Sequence, residues 1–218
     1  MLRAYLNLAR WPNLLIIGLI FFLTKTQLVD PLSAISGIDP CLTTGQWWLL
    51  ALATIFVAAS GNVVNDIFDQ DIDFHNKPQK MIVGTTITSE NAWNYYYGLG
   101  SAGLMLGMFL CWRLGNVSYS LIFMMAAGGL FFYAQTYKRQ FLIGNLVIAL
   151  LAAIVPVLPL FLQGNCYPEL WLQLPWASLL LAFAIFSFVT TLIREMIKDL
   201  QDLKGDQIQG CRTLPVVV

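Results

Sequence analysis

Residues 62–73 read NVVNDIFDQDID, and residues 194–206 read REMIKDLQDLKGD. The first stretch spaces Asn62, Asp66, Asp69 and Asp73 by four, three and four positions, and the second spaces Glu195, Asp199, Asp202 and Asp206 in the same way. In a helix of 3.6 residues per turn these steps return to nearly one azimuth, so each set is expected within an arc of roughly 60°. Each set therefore projects a row of oxygen ligands. One row alone reads as the solvated end of a helix. Two matched rows in a chain with only 12 acidic residues point to a shared site for hard cations and a polyanion.

The surrounding chain is apolar. Hydrophobic residues make up 58% of the 218 and charged residues 11%, against about 25% charged in a soluble domain, and the mean hydropathy is +0.68. The chain reads as an all-α, multi-pass integral membrane protein. Runs of spanning length are read at 12–29, 47–66, 92–112, 117–135, 142–163 and 172–193. Pro156 and Pro159 predict a kink or early end in the fifth. Gly98, Gly100, Gly103 and Gly107 predict close helix packing in the third. The turn signals Asp30-Pro31 and Asp39-Pro40 place an outside loop at 30–46, after which Trp47 and Trp48 open the second span as an interfacial anchor. No cleavable signal peptide is expected, because the first apolar run lacks the usual small-residue cleavage site. The formal net charge is zero and no basic tract is present, which leaves no nucleic-acid partner to argue for.

With the N-terminus in the cytoplasm, alternation assigns Arg3, Arg10, Lys77, Lys80, Lys138, Arg139, Arg194, Lys198, Lys204 and Arg212 to the inside, and only Lys25 and Arg113 to the outside. This positive-inside bias places both acidic rows on the cytoplasmic face, where they can meet. Cys41 and Cys166 fall in outside loops and can pair in an oxidising compartment, but spacing does not establish a bridge, and free thiols are the simpler reading.

Asp66, Asp69, Asp73, Asp199, Asp202 and Asp206 are the candidate metal ligands, and Mg²⁺ is the cation their hard oxygens suit. Asp71 points off the row, and Glu195 lies nearest the bilayer, where it tunes the site or meets a cation. Arg194 and Lys198 are placed to meet an anion held by the metal. Tyr133, Lys138 and Arg139, at the cytoplasmic end of the fourth span, are further candidates for phosphate contact. Arg10 and Asn13, near the start of the first span, can help to hold the same anion. His75 reads as a loop residue without a catalytic partner.

Asn65-Asp66-x2-Asp69-x3-Asp73 followed by Asp199-x2-Asp202-x3-Asp206 resembles the UbiA superfamily of membrane prenyltransferases. Arg10-Trp-Pro12, the Tyr133 to Arg139 stretch and Gly144-Asn145 support the resemblance, which covers nearly the whole chain as one domain, residues 1–218. It implies a helical bundle that binds an isoprenyl diphosphate through Mg²⁺ and transfers the isoprenyl group to a lipophilic or aromatic acceptor in the membrane, as in lipid or quinone biosynthesis. Asp66, Asp69, Asp199 and Asp202 would be catalytic. Asn62, Asn65, Lys77, Lys80, Tyr133, Lys138, Arg139, Arg194, Lys198 and Asn13 would bind substrate. Residues 194–215 look most like the branch of geranylgeranylglyceryl phosphate geranylgeranyltransferases, with chlorophyll-synthase-like and hydroxybenzoate enzymes nearby. Two departures stand out. Lys77-Pro78-Gln79-Lys80 replaces an Arg-Pro-x-Arg-Pro pattern, which removes bidentate phosphate binding. Six spans replace about nine, so the last spans of the family fold are expected to be missing at the C-terminal end. An ion-coupled transporter and an inactive fragment are the alternatives.

Overall fold

The computed structural model describes residues 1–37, 39–76, 78–163, 175–208 and 210–217. The expected Lys77 contact and Cys166 lie outside them. The described residues are helical apart from turns and one isolated bridge between Val83 and Ile87. We number the helices α1 (Leu2–Leu8), α2 (Trp11–Leu23), α3 (Asp30–Ser36), α4 (Thr44–Phe68), α5 (Gln70–Asn76), α6 (Ser89–Arg113), α7 (Ser120–Gln135), α8 (Ile143–Gln163), α9 (Pro175–Ile208) and α10 (Leu214–Val217).

Among the described residues, five segments are long and apolar enough to cross a membrane: Trp11–Ser36, Thr44–Phe68, Val117–Gln135, Ile143–Leu162 and Ala177–Ile208. Six runs are read in the sequence, and five of them meet this measure of length and hydropathy. The helix read at 92–112 exists as α6, 25 residues long, but its first turns carry Glu90, Asn91, Asn94 and three tyrosines, which lower its hydropathy.

The first span is longer than its sequence suggests. Asp30-Pro31 does not end it, because a π-helical turn, Thr24–Val29, joins α2 to α3. Proline removes a backbone donor and crowds the carbonyl one turn earlier, and a π turn is one way for a helix to absorb such a defect. Its five-residue spacing also brings the Lys25 Nζ within 2.6 Å of Asp30 Oδ1. Lys25 is thus a buried, paired helix residue rather than a loop charge. Similarly, α8 runs through Pro156 and Pro159 without ending early. Neighbouring helices and local adjustment can accommodate freed backbone groups in such apolar bundles.

α4 is the central pillar, packed against α2, α6 and α7, while α8 pairs with α9. Thr43 caps its start in a capping box with Gln46, satisfying two orphan donors. Trp47 is fully buried against Phe21 and donates its indole N–H to the Phe21 carbonyl at 3.1 Å. Only Trp48, stacked on Phe22 and exposed, suits the interfacial role expected of both. Cys41, just before α4, is disulfide-bonded, which corrects the free-thiol reading for that residue, whereas Cys111 and Cys211 are free and buried.

The glycines of α6 divide by position. A Cβ at Gly98 would meet nothing, but one at Gly103 would lie 2.9 Å from the Val57 backbone nitrogen and 3.1 Å from the Ala53 carbonyl oxygen. Backbone cannot retreat as a side-chain tip can. Gly103→Ala should therefore push α6 off α4 and cost about 1–3 kcal/mol, read as a lower unfolding midpoint in detergent, whereas Gly98→Ala should leave the midpoint unchanged or slightly raised.

Candidate functional site

The C-terminal ends of α4 and α9 lie at the same end of the bundle and border one polar cleft. Asp69 and Asp73 line it from the α4–α5 side. Asp199, Asp202 and Asp206 line it from α9. Lys138, Arg139 and Tyr133 from the end of α7 and the following turn complete the wall, with Lys198. The structure thus gathers nine of the residues singled out in the sequence around one space.

The second row has the geometry its spacing predicts, because α9 is one 34-residue helix. At 1.5 Å per residue such a helix is about 50 Å long, well beyond the ~30 Å hydrocarbon layer. Its last turns therefore reach past an apolar span of ordinary length. The first row differs from the expected single face. α4 ends at Phe68 and Asp69 is its C-cap, while Asp73 lies on the separate helix α5. One backbone bond, from the Asp73 N–H to the Asp69 carbonyl at 2.8 Å, carries the turn across the junction.

Asp66, three residues before Asp69, lies on α4 and is held by Arg10. Its Oδ1 accepts a hydrogen bond from Arg10 Nη2 at 2.8 Å. Arg10 itself sits in a left-handed backbone conformation, with φ 56°, unfavourable for a side-chain-bearing residue. The turn before α2 is held there partly by this ion pair. Asn62, from the same face, donates to the Ala9 carbonyl at 2.9 Å. These two residues therefore anchor the N-terminal segment to α4. Burial would lower the Arg10 guanidinium, but the Asp66 carboxylate, together with Asp69 and Tyr133, holds the group above its ordinary value.

Asp69 is the most constrained carboxylate. Lys138 Nζ lies 2.6 Å from its Oδ1, and Asn65 Nδ2 donates to its Oδ2 at 2.7 Å. Lys138 and Asp69 side chains are only 9% and 11% exposed. Burial would raise the Asp69 carboxyl, but Lys138, with Lys198 and Arg10 further off, holds it below its usual value. Burial pulls the Lys138 ammonium down, and Lys198 and Arg139 add to this against the opposing pull of Asp69. The remaining expected residues fall elsewhere. Arg194 and Lys80 are exposed, and Asn13 is half-buried in the first turn of α2. Glu195 is buried and accepts the Tyr133 hydroxyl at 3.0 Å rather than meeting a cation. His75 is exposed, its ring against Phe74.

Three contacts were not apparent from acidic spacing. Asn145 donates to Asp199 Oδ2 at 2.8 Å. Thr213 donates to Asp206 Oδ2 at 3.0 Å. A Cβ at Gly144 would fall within 2.8 Å of the Lys138 backbone nitrogen and 2.7 Å of the Tyr137 carbonyl oxygen. Glycine there lets α8 begin against the turn that presents Lys138. The Gly144-Asn145 pair was visible as a motif, but its two jobs depend on an approach between segments that spacing does not encode. The Arg212 N–H donates to the Arg139 carbonyl at 2.8 Å, which ties the segment after α9 to the turn after α7.

A multi-pass helical membrane protein with two acidic rows bordering one basic-lined cleft is the class that fold and geometry define. The chain belongs to the UbiA prenyltransferase family, whose profile matches residues 11–218. It is 29% identical over 218 residues to a digeranylgeranylglyceryl phosphate synthase of Thermococcus sibiricus, covering 99% of this chain and 68% of the relative. The synthase of the same name from Metallosphaera sedula is 34% identical over 167 residues, covering 76% and 54%. That from Pyrococcus horikoshii is 30% identical over 221 residues, covering 99% and 69%. The chain thus matches only part of each relative's length. A solved structure from work on digeranylgeranylglyceryl phosphate synthase in membranes superposes with a TM-score of 0.68 at 28% identity, covering 100% of this chain and 69% of that one.

The Lys138–Asp69 pair makes a prediction independent of activity. Lys138→Met leaves a buried carboxylate without its cation and should cost about 3–5 kcal/mol at neutral pH. A carboxyl held low in the folded state contributes fully above about pH 4, its unfolded value, and loses that contribution as pH falls through the lower folded value. In Lys138→Met the burial that Lys138 opposed raises the Asp69 carboxyl, which can then neutralise, so the difference in unfolding midpoint between the variant and wild type should narrow as pH falls from about 7 toward 5.

Proposed function

We propose that this cleft binds an isoprenyl diphosphate with Mg²⁺ and transfers the isoprenyl group to an acceptor held in the membrane. The observation that carries the reading is the arrangement of the cleft: acidic rows on two separate elements, with Lys138, Arg139 and Lys198 along the same wall. Carboxylates alone would suit a cation, and lysines alone an anion. Their interleaving suits an anion that arrives with its own cations.

The donor set supports Mg²⁺. Among the described residues, no three acidic or histidine side chains form a ready-made metal cage. Mg²⁺ does not need one, since it is commonly held by one or two carboxylates, waters and substrate phosphates. Among the described residues, two buried side-chain atoms lack partners: the Asn65 Oδ1, an acceptor beside Asp69, and the Arg139 Nε, a donor in a residue that lines the cleft. A cation or its water would satisfy the first, and an anion the second. Asp69, Asp73, Asp199, Asp202 and Asp206 are the proposed metal-facing residues. Asp66, the remaining member of the first row, is a further candidate that also pairs with Arg10 and so keeps the N-terminal segment in place. Bound Mg²⁺ would supply positive charge to the diphosphate oxygens. Lys138, Arg139 and Lys198 donate to the same oxygens as the allylic C–O bond breaks and its electron pair leaves with the diphosphate. The acceptor oxygen then bonds to that carbon, and its proton passes to the released diphosphate. Catalysis on this reading is charge stabilisation and positioning, with residues 1–218 acting as one domain.

The name shared by the relatives points to a geranylgeranyl donor and a geranylgeranylglyceryl phosphate acceptor. The excess of lysine and arginine on one side supports a cytoplasmic cleft and N-terminus. So does the Cys41 disulfide. It precedes α4, whose other end carries Asp69, and disulfides persist on the oxidising side of a membrane. Transport is the weaker reading, because coupling-ion sites lie near the bilayer midplane.

The test is diphosphate release from geranylgeranyl diphosphate by the purified chain in detergent, with and without Mg²⁺, across glycerol-phosphate and aromatic acceptors. Turnover should require Mg²⁺ and fall about a hundredfold or more in Asp69→Asn and Asp202→Asn. Asp66→Asn should lose less. Absence of both turnover and Mg²⁺-dependent binding of the diphosphate would refute the reading.

A further inference from the structure

Two acidic motifs that share a ligand must be held at a set separation, yet α5 and α9 are far apart in the sequence. One side chain ties them directly. Asn76, the last residue of α5, turns its amide toward α9. Its Oδ1 accepts the Gly205 backbone N–H at 2.9 Å, and its Nδ2 donates to the Asp202 backbone carbonyl at 3.1 Å. Both bonds go to the backbone of the second motif, so they locate the helix itself rather than a mobile carboxylate. They grip it between Asp202 and Asp206, two of the three α9 aspartates in the cleft wall. On its own helix Asn76 follows Asp73 by three residues, close to one turn. The amide is therefore a short strut between the two acidic rows.

Gly205 is the socket for that strut. A Cβ there would collide with the Asn76 Nδ2 and lie 2.8 Å from its Cγ and 2.9 Å from its Oδ1. Glycine inside a helix costs about 1 kcal/mol relative to alanine, and here it clears the space the amide fills. Asn76 itself is not among the residues lining the cleft.

We propose that Asn76 is a positioning residue, whose amide, seated against Gly205, sets the spacing between the two aspartate motifs. The inference rests on the reading of the cleft as a metal–diphosphate site. Residues that orient metal ligands change metal affinity by about 10–100-fold when removed. A loss of this strut leaves every carboxylate present but raises the Mg²⁺ concentration needed to assemble them around the ligand.

The experiment titrates Mg²⁺ against binding of geranylgeranyl thiodiphosphate, a slowly reacting analogue, by the full chain in detergent. Wild type is compared with Asn76→Ala, Gly205→Ala and the double variant, and thermal unfolding is measured without ligand. Asn76→Ser replaces Asn76→Ala if the latter is not recovered folded. Each single variant should raise the Mg²⁺ midpoint about tenfold or more. The double variant should be no worse than Asn76→Ala, because the new Cβ no longer meets an amide, so the effects should not add. A lower unfolding temperature with an unchanged Mg²⁺ midpoint would overturn the proposal and leave Asn76 a structural tie only. Additive effects in the double variant would overturn the socket role of Gly205. Wild type that shows no Mg²⁺-dependent binding would refute the cleft reading, and the Asn76 role with it. Wild-type binding with unaltered variants would refute the Asn76 role alone.

Discussion

The ion pair between Lys138 and Asp69, 2.6 Å apart and nearly closed to solvent, is the interaction on which the cleft depends. Charges are costly in an apolar bundle unless they are paired. The pair sits where α4 ends and where the turn after α7 begins, so its formation fixes one helix end against another. Asn65 completes Asp69 from within α4. Gly144 brings α8 against the turn that carries Lys138, and the next residue, Asn145, then reaches Asp199. A chain of local contacts therefore links the first acidic row, through a lysine and an asparagine, to the second.

The same accounting explains why the acidic residues differ in behaviour. Asp66 and Asp69 are three residues apart and look equivalent in sequence. Asp66 faces the N-terminal turn and is matched by Arg10, whereas Asp69 faces the cleft. Asp206 is tied to Thr213 across the turn that follows α9, and the Cys211 N–H returns to the Asp206 carbonyl at 2.9 Å. The thiol of Cys211, in the cleft wall, is itself pushed up by burial and then by Asp206.

The helical class, the multi-pass character and the meeting of the two acidic rows were legible in the sequence because hydropathy and a 4-3-4 spacing are one-dimensional signals. The second row was read well, since 194–206 stays on one helix. The first was read less well, because the break at Asp69–Gln70 depends on how α5 folds toward α9, and no local residue pattern announces it. Trp47 shows the same limit. An aromatic at the start of a span is a good interfacial anchor on average, but this one is claimed by the Phe21 carbonyl. The run Asp30-Pro31 carries a turn signal that the preceding π turn cancels. Asn76 and Gly205 looked ordinary because their importance lies in an approach across the fold.

That α9 is both a membrane span and the carrier of the second acidic row has a consequence for the environment of the protein. A helix longer than the hydrocarbon layer can accommodate a thinner bilayer by tilting. A small tilt, acting over a rod about 50 Å long, displaces the far end by several ångströms. The carboxylates of α9 sit near that end, while Asp69 and Asp73 belong to a differently anchored part of the bundle. Lipid chain length is therefore mechanically connected to the width of the cleft, with the strut at Asn76 opposing the movement.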